Sequence, residues 1–351
     1  MCVILLMMKK NKIALVGCGN IGKRHLAILD ASSSFEIVGI CDVKPDVLAG
    51  QAKLYNYFET FLNYQEMLKK VNADIVAICT PHALHREMSI EVLQAGFDVL
   101  CEKPMAMNES QCKEMNKVQK QTNQNLWVVH QNRYNVPIKY TKEAIDLGKL
   151  GNIFMVQCNV VWNRNSEYYD HSSWRGNKST EGGALHTQAS HFVDLLTWWF
   201  GDVSKAQAKV DTKNHFIEIE DCGISNLTFS SGVMGSLLWT TNAYSKNYEG
   251  SITIIAEKGT IKIGGRYLNQ IDYWDVENYP LPENIDFSDK PNTYDKYKGS
   301  SSNHDKLYDE ISKYYRGQPF DLVSGEEAIK TSQAIELIYK AAGQHIPPLF
   351  V

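Results

Sequence analysis

The sequence predicts an α/β protein in two parts: a doubly wound parallel sheet, then an α/β domain built on a large, mostly antiparallel open sheet. The chain has 351 residues, more than one ordinary hydrophobic core accommodates. Its first third alternates short apolar runs with helical patterns, and its second half carries consecutive apolar runs joined by tight turns. We therefore predict an N-terminal extension at residues 1–11, a first domain at 12–133 and a second domain at 134–351.

The alternation in the first domain predicts parallel strands with helices on both faces of the sheet. Its apolar runs are short and rich in Val and Ile, and Gly96 would end a helix just before a strand. The predicted strands are residues 12–16, 35–41, 74–79, 97–101 and 126–130, and the predicted helices are 21–29, 45–54, 64–70, 83–95 and 109–121.

The second domain carries strand patterns separated by tight turns, which indicates antiparallel pairing. Residues 275–302 are rich in Pro, Asn, Asp and Ser and predict a lid or a surface loop. The last helix is expected to pack back on the first domain. The predicted helices are residues 137–147, 184–199, 304–315 and 325–342, and the predicted strands are 153–162, 203–210, 223–229, 233–241, 251–256 and 260–263.

Composition indicates a soluble globular protein, because 44% of the residues are hydrophobic and 22% are charged. A net charge of −4 gives no reason to expect nucleic-acid binding. No segment approaches the ~20 apolar residues of a membrane helix, and lysines follow the short apolar start, the wrong order for a secretory signal. The eight cysteines include no Cys-x-x-Cys pair, so we expect reduced thiols, no metal site, no membrane partner and a cytoplasmic location.

A glycine-rich hexapeptide, Gly17-Cys18-Gly19-Asn20-Ile21-Gly22, lies between the first strand and the first helix. Alone it is a weak signal, but this position is that of a Rossmann dinucleotide-binding loop. Gly17 would permit the tight turn, Gly19 would let the backbone approach a pyrophosphate, and Gly22 would let helix and strand pack closely. The start of the helix, at Asn20 and Ile21, would stabilise the anion. The alternative is an ordinary glycine-rich turn.

An acidic residue, Asp42, lies twenty residues past Gly22 at the end of the second strand. A carboxylate there accepts hydrogen bonds from the adenosine ribose and repels a 2′-phosphate. The sequence therefore favours NAD over NADP, although Lys44 nearby weakens the discrimination.

Two further segments end strands at the same edge of the sheet. Thr80-Pro81-His82 follows the fourth strand, and Glu102-Lys103-Pro104 closes the run at 97–101. Because ligands of open α/β sheets bind at this edge, both segments are predicted to line the nicotinamide side of the cofactor, with Glu102 near the ribose. His85 is a further candidate, and His82 and His85 could equally be surface histidines at a helix start.

Hydride transfer from a secondary alcohol needs a group that takes the hydroxyl proton. Lys103 could polarise the developing carbonyl, and a histidine could take the proton near neutral pH. His191 is the candidate from the second domain, with Asp194 three residues on to orient it. The alternative is a buried histidine whose hydrogen bonds are all made within the core. The Gly182-Gly183 pair just before this helix and the lysine at the sheet edge favour a catalytic role for His191 instead.

These residues together resemble the pattern of the glucose–fructose oxidoreductase/inositol dehydrogenase (Gfo/Idh/MocA) family over nearly the whole chain. The resemblance implies a Rossmann domain joined to a large-sheet domain, proton handling at the Lys and His positions, and a homodimer or homotetramer packed through the C-terminal sheet. The matching marks are Gly17-x-Gly19-x-x-Gly22, Thr80-Pro81, Glu102-Lys103-Pro104, and Gly182-Gly183 followed by His191-x-x-Asp194.

Several local strings resemble a narrower branch of that family, the UDP-N-acetylglucosaminuronate 3-dehydrogenases of bacterial surface-polysaccharide synthesis. The resemblance implies that NAD oxidises C3 of a UDP-sugar acid, and that 2-oxoglutarate recycles bound NADH in some members. The strings are Trp162-Asn163-Arg164, Tyr168-Tyr169-Asp170, Trp174-Arg175-Gly176, Gln188-Ala189-Ser190-His191 and Glu249-Gly250-Ser251.

A UDP-uronate carries phosphate and carboxylate charges, which arginine can contact bidentately, and a uracil ring on which aromatic side chains can stack. Each candidate taken singly could instead be a solvated arginine or a core aromatic residue. The candidates for substrate binding, besides Lys103, Thr187, Gln188 and His191, are Arg133, Arg164 and Arg175 with the aromatic residues Tyr134, Tyr168, Tyr169 and Trp174.

One position departs from the family pattern. Four residues before the histidine the family usually has Asp, and the nucleotide-sugar branch often has Asn, whereas this chain has Thr187. A hydroxyl can hydrogen-bond the sugar but cannot act as a carboxylate base, which leaves the proton to His191 and Lys103.

Three other functions remain open on the sequence. An inositol or free-sugar dehydrogenase would need fewer arginines in its cleft. A glycosidase on the same fold would keep NAD bound and eliminate a leaving group after transient oxidation at C3. A non-catalytic sensor would not need to retain Lys103.

Overall fold

The computed structural model describes residues 10–344 except residues 56, 171, 288–290 and 294–297. Residues 1–9, most of the predicted N-terminal extension, lie outside the described residues. The first strand already begins at Asn11, inside the range predicted as extension. The boundary proposed between residues 133 and 134 stays a prediction.

The first sheet is parallel and six-stranded, in the order β3-β2-β1-β4-β5-β6, which confirms the predicted doubly wound class. β3 is the strand that the sequence did not predict. The strands are β1 (Asn11–Val16), β2 (Phe35–Cys41), β3 (Glu59–Phe61), β4 (Ile75–Ile78), β5 (Asp98–Cys101) and β6 (Leu126–Val128), and the helices are α1 (Asn20–Asp30), α2 (Pro45–Leu54), α3 (Tyr64–Lys70), α4 (His85–Gln94) and α5 (Glu109–Thr122).

Local sequence explains where several helices begin and end. The side chains of Asn63 and Asn108 cap α3 and α5, because each accepts a hydrogen bond from a backbone N–H one turn on. Gly96 ends the α4 segment with a φ of +89°, as predicted. The central strands β4 and β5 are buried at every position, which is what helices on both faces require.

The second sheet has seven strands in the order β13-β12-β11-β7-β10-β9-β8 and is antiparallel except for the β7–β10 pair. This confirms the predicted mostly antiparallel sheet and adds one strand, β13, that was not predicted. The strands are β7 (Ile153–Val161), β8 (Val203–Asp211), β9 (Cys222–Phe229), β10 (Met234–Thr240), β11 (Glu249–Ala256), β12 (Gly259–Gly264) and β13 (Gln270–Val276).

The remaining helices divide between the two domains. The helix predicted at 184–199 is divided in two, a π-helical turn at Leu185–Ala189 and then α8 (Ser190–Phe200). The predicted loop 275–302 contains a short hairpin in its described part, β14 (Pro291–Thr293) and β15 (Lys298–Ser301). The other helices are α6 (Val136–Asp146), α7 (Ser166–Asp170), α9 (His304–Tyr315) and α10 (Gly325–Ala341). α6, α8 and α10 contribute to the core of the second sheet, and α9 packs in the core of the first domain.

The end of the chain joins the two halves. α10 packs against α5 and β6 of the first domain and against α8 and β8 of the second. Ser324 caps α10 through its side chain, and Val128 donates a backbone hydrogen bond to Val323 at 2.9 Å. Within the part of the chain that the structure describes, no helix combines the length and apolar character needed to cross a bilayer.

The outer face of the second sheet carries exposed apolar side chains in rows that polar residues separate. Met155 lies opposite Met234 and Ile255 on the neighbouring strands, and their side chains are 47%, 54% and 43% exposed. Ile224 and Leu238, also opposite each other, add to the same surface. We call the surface formed by these five residues the open sheet face.

Candidate active site

A cavity of about 670 Å³ lies between the two domains, at the carboxyl ends of β1, β2, β4 and β5. Residues from both domains line it, so it brings together most of the side chains singled out in the sequence. The predicted site residues that line it are Gly17, Gly19, Asn20, Ile21, Asp42, Thr80, Pro81, His82, Glu102, Lys103, Arg164, Trp174, Arg175, Thr187, Gln188 and His191, together with the aromatic Tyr168.

The glycine-rich loop has the backbone that a dinucleotide cradle needs. Gly17 has a φ of +92°, and a Cβ there would lie 2.6 Å from the Cys79 carbonyl oxygen. A Cβ on Gly22 would lie 1.9 Å from the Gly17 oxygen, so helix α1 can approach the loop only with glycine there. Gly19 borders the cavity with no atom within 4 Å of its Cβ position. The loop therefore leaves room for a pyrophosphate against the N-terminus of α1.

The carboxylate of Asp42 stands beside this loop. One oxygen accepts a hydrogen bond from the Cys18 N–H at 2.8 Å, and the other accepts from the Lys44 N–H at 2.9 Å. These bonds fix the side chain at the end of β2, on the wall of the cavity. This is the position from which an acidic residue contacts the adenosine ribose, so the residues present fit NAD.

Glu102 is held by a buried network that spans both ends of the chain. His25 Nε2 lies 3.0 Å and His304 Nε2 3.4 Å from Glu102 Oε1, and Tyr308 Oη lies 2.6 Å from His25 Nδ1. Burial alone would raise the pKa of Glu102, but the two histidines outweigh it and hold the pKa well below its usual value. Glu102 is therefore a fixed negative charge on the floor of the cavity.

The same three side chains, His25, Glu102 and His304, have ligand-type atoms within 4.8 Å of one another, as a metal site requires. In this structure those atoms already meet each other at hydrogen-bond or ion-pair distance. These contacts explain why the three side chains lie together without a bound metal ion.

Lys103 points across the domain boundary. Its Nζ donates a hydrogen bond to the backbone oxygen of Thr187 at 2.8 Å. Burial lowers the pKa of Lys103; the charge of Glu102 opposes this shift, and that of Arg164 adds to it. A lysine in this environment releases a proton more readily than an exposed one.

His191 lies one turn after Thr187 and borders the same cavity. Its Nε2 is 3.3 Å from the Ser300 hydroxyl, which in turn accepts a hydrogen bond from the Gln131 side chain at 2.8 Å. Burial, reinforced by the charge of Lys103, lowers the pKa of His191 well below its usual value. The imidazole is therefore neutral near pH 7, and its surroundings disfavour the protonated form.

The second domain supplies a cationic and aromatic wall. The Arg175 guanidinium carbon lies 4.1 Å from the ring centre of Tyr168, and that of Arg164 lies 5.3 Å from the same ring. Trp174 packs edge-on against His82 with ring centres 4.9 Å apart, which joins this wall to the first domain. Gln188 donates to the Tyr168 hydroxyl at 3.0 Å.

The structure corrects the predictions for Arg133 and Asp194. Arg133 does not line the cavity: its Nη2 and Nε lie 2.7 and 2.8 Å from the two carboxylate oxygens of Asp194, and its Nη1 lies 2.5 Å from Glu327. Asp194 contacts Arg133, His130 and Thr331 instead of orienting His191. A buried guanidinium needs carboxylate partners, and this pairing uses both residues inside the fold.

Two other predicted site residues also have structural contacts. The Tyr134 hydroxyl donates to the Asp321 carbonyl at 2.6 Å, outside the cavity. His85 is fully buried, with ring nitrogens 2.7 Å from the Pro104 oxygen and 2.9 Å from the Thr80 oxygen. It therefore does not border the cofactor cavity; it ties together the two segments that do.

Four residues near the chemistry were not predicted: Gln131, Ser300, His304 and Glu181. Ser300 lies in the polar stretch 275–302 and His304 begins the helix that follows it. Neither residue belongs to a recognisable sequence motif. Glu181 directly precedes the Gly182-Gly183 pair that the sequence analysis singled out. Its position next to that pair is the one sequence feature that could have pointed to it.

Comparison with known proteins gives matches over both domains. A family model described as an oxidoreductase family with an NAD-binding Rossmann fold (GFO_IDH_MocA) matches residues 11–130, and one described as the C-terminal α/β domain of that family matches residues 142–347. Levoglucosan dehydrogenase of Pseudarthrobacter phenanthrenivorans is 23% identical over 286 residues, which are 72% of this chain and 73% of that protein.

Two solved structures are similar along nearly their whole length. The WlbA dehydrogenase from Bordetella pertussis, in complex with NADH and UDP-GlcNAcA, has 36% identity and a TM-score of 0.85, with 95% of this chain and 97% of that chain covered. The WlbA dehydrogenase from Chromobacterium violaceum, in complex with the same two ligands, has 36% identity and a TM-score of 0.87, with 97% of each chain covered.

Proposed function

Because this chain belongs to the Gfo/Idh/MocA family of NAD-binding oxidoreductases, we propose that it oxidises C3 of a UDP-N-acetylhexosaminuronate with NAD, as a step in surface-polysaccharide precursor synthesis. The observation that carries the proposal is the single cavity in which the dinucleotide loop and Lys103 face the arginines of the second domain. Two similar enzymes of 36% identity were crystallised with NADH and UDP-GlcNAcA, which supports the substrate class.

NAD would be held by the glycine-rich loop, Asp42 and the edge residues Thr80 to His82, and it supplies the hydride acceptor. Glu102 would accept hydrogen bonds from the nicotinamide ribose, since its carboxylate is kept ionised. Lys103 would bind the C3 oxygen and stabilise the developing carbonyl. His191, neutral and bordering the same space, is positioned to share the hydroxyl proton.

The cationic wall suits a substrate with a diphosphate and a carboxylate. Arg164 and Arg175 line the cavity beside aromatic rings, and arginine contacts such groups with two parallel N–H donors. Trp174 offers a flat surface for uracil. A small dicarboxylate such as 2-oxoglutarate would fit the same arginines, and we propose it as the oxidant that restores NAD after each turnover.

We also propose that the protein forms a homodimer or homotetramer through the open sheet face, and that it works in the cytoplasm. Contiguous exposed apolar side chains are typical of an interface, and Met155, Met234 and Ile255 are neighbours across three strands. The described cysteines are free and mostly buried, as expected in a reducing compartment.

The test is a panel of UDP-sugars, UDP-sugar acids and free sugars with NAD or NADP, followed by the absorbance of the reduced cofactor, with and without 2-oxoglutarate. We expect the absorbance to rise only with the UDP-sugar acid and NAD, and to rise less when 2-oxoglutarate is added, because 2-oxoglutarate would re-oxidise the NADH. Turnover of a free polyol but of no UDP-sugar would reject the proposal.

A matched pair of variants then tests the lysine. Lys103→Met should abolish turnover while NADH still binds, as measured by its fluorescence. Lys258→Met, a change at an exposed lysine in the β11–β12 turn, should leave both unchanged. Normal turnover in Lys103→Met would remove this residue from the mechanism.

A further inference from the structure

A carboxylate lies directly behind Thr187, the residue that replaces the usual Asp or Asn. Glu181 is fully buried, and its Oε1 accepts a hydrogen bond from the Thr187 hydroxyl at 2.8 Å. Its Oε2 accepts from the Gly176 N–H at 2.5 Å. Thr187 borders the cavity and Glu181 does not, so the hydroxyl stands between the substrate space and the carboxylate.

The surroundings keep this link in one orientation. The Thr187 hydroxyl has one proton and two acceptors within reach, Glu181 at 2.8 Å and the Gly183 carbonyl at 3.1 Å. The carboxylate is the nearer acceptor and the stronger one, so the hydroxyl donates its hydrogen bond to Glu181. Lys103 holds the Thr187 backbone oxygen at 2.8 Å, which fixes this residue beside the group that would bind the sugar oxygen.

We propose that Thr187 and Glu181 form a proton relay, in which the sugar hydroxyl passes its proton to the Thr187 oxygen while the Thr187 proton passes to Glu181. This inference rests on the proposed function. Bound NAD would supply the acceptor for the hydride from C3; the O–H bond breaks, its proton leaves through Thr187, and the C3–O bond becomes C3=O. One proton ends on Glu181 and, after the product leaves, passes back through the Thr187 hydroxyl to water in the cavity, so each turnover releases one proton and atoms and electrons balance.

The relay restores a carboxylate base that the sequence lacks at position 187 itself. The base has moved to the loop before Gly182-Gly183, and a hydroxyl bridges the added distance. Thr187 is the catalytic residue in this scheme, and Glu181 acts through it. The earlier assignment of the proton to Lys103 and His191 alone then changes: these two orient and polarise the C3 oxygen.

Glu181 has an environment suited to a base. Burial raises its pKa above the usual value, while the hydrogen bonds from Gly176 and Thr187 oppose that shift. It therefore accepts a proton more readily than an exposed glutamate. The titratable and charged groups that face it are Lys103, Arg175, Tyr169 and Tyr339, and His82 hydrogen-bonds its backbone oxygen.

Four variants of the full-length enzyme test the relay with the UDP-sugar acid and NAD. Thr187→Val and Glu181→Gln should each lower kcat by ~10²-fold, the usual contribution of a general base, with little change in KM. The double variant should lose no more than either single one, because the relay is already broken. Thr187→Ser keeps the hydroxyl and should stay within about threefold of the wild type.

Two readouts separate the relay from a structural role of Glu181. The wild-type kcat should fall as the pH drops through the pKa of Glu181, and Glu181→Gln should lose that limb. Infrared difference spectra on mixing with substrate should show a new protonated-carboxyl band in the wild type, shifted by ¹³C-labelled glutamate and absent in Glu181→Gln. Thr197→Val, which removes another buried hydroxyl from α8, is the control and should keep kcat.

The outcomes are distinct. Losses that multiply in the double variant, or an acid limb that survives in Glu181→Gln, would overturn the relay and leave the proposed function standing. If Glu181→Gln does not fold, Thr187→Val carries the test, since it leaves the carboxylate and its Gly176 contact in place. A wild type that oxidises no sugar would overturn both proposals.

Discussion

The reassignment of Arg133 from substrate binding to structure leads to a quantitative prediction for Arg133→Met. Arg133 is 5% exposed and Asp194 is 1% exposed, and two hydrogen bonds of 2.7 and 2.8 Å join them. Removing one partner of such a buried pair costs ~3–5 kcal/mol, because it leaves an uncompensated charge. The contact with Glu327 adds little, because that side chain is about one-third exposed.

The assay is thermal unfolding together with KM for the UDP-sugar acid. For a domain of this size the loss corresponds to a fall in Tm on the order of 10 °C. Lys113→Met breaks an exposed ion pair with Glu109 and should cost less than about 1 kcal/mol. Adding Asp194→Asn to Arg133→Met should recover part of the loss, because no buried charge is then left alone.

The pH dependence has a definite sign. Burial by itself would raise the pKa of Asp194, but Arg133 outweighs it and holds the pKa below its usual value. The ion pair therefore stabilises the wild type fully at pH values above the pKa of Asp194 in the unfolded chain. This stabilisation is lost as the pH falls through the lower pKa that Asp194 has in the folded protein. In Arg133→Met only His130 and Thr331 still oppose the effect of burial, so the pKa of Asp194 rises and the stability gap should be smaller near pH 5 than near pH 8.

The reasoning would be refuted by an Arg133→Met enzyme of normal stability. A raised KM in a fully stable variant would mean that Arg133 reaches the substrate after all, as the sequence first suggested. A gap that widens towards acid pH would show that Asp194 is not the charge left behind.

Three further predictions concern the cofactor loop, its fold and the open sheet face. Asp42→Ala should raise KM for NAD by ~10–100-fold, the worth of charged hydrogen bonds, and improve use of NADP, as measured by steady-state kinetics with both cofactors; continued rejection of NADP would argue against the ribose role. Gly22→Ala should abolish NADH binding, since its Cβ would lie 1.9 Å from the Gly17 oxygen, whereas Gly50→Ala, with no atom within 4 Å, should leave binding and stability unharmed. Met155→Asp should shift the species seen by light scattering to the monomer, and an unchanged mass would move the interface elsewhere.

Much of the fold could be read from the sequence because its signals are local. Alternating helix and strand periods gave the parallel sheet, and tight turns gave the antiparallel one. β3 was missed because three residues carry no period, and β13 because polar residues interrupt its apolar ones and it lies at the edge of its sheet. The parallel β7–β10 pair joins segments far apart in the chain, and no local pattern encodes such a pairing.

The site residues likewise divide into those that local sequence could place and those that it could not. Residues at strand ends, such as Asp42 and Lys103, could be placed because parallel strands bring their carboxyl ends to one edge. Arg133 follows β6 and was predicted to bind the substrate, but its partners lie on α8 and α10. Glu181 had no motif of its own, and only the structure puts its carboxylate against Thr187.

The network around Glu102 has a consequence for the order in which the protein matures. The carboxylate is held by His25, near the start of the chain, and by His304, in the last seventh of it. During synthesis the strands of the Rossmann domain can emerge from the ribosome and pair. His304, one of the two histidines that hold Glu102, has not yet emerged at that stage. We expect a nascent chain halted before α9 to bind NAD more weakly than the released protein, because its Glu102 lacks the contact with His304.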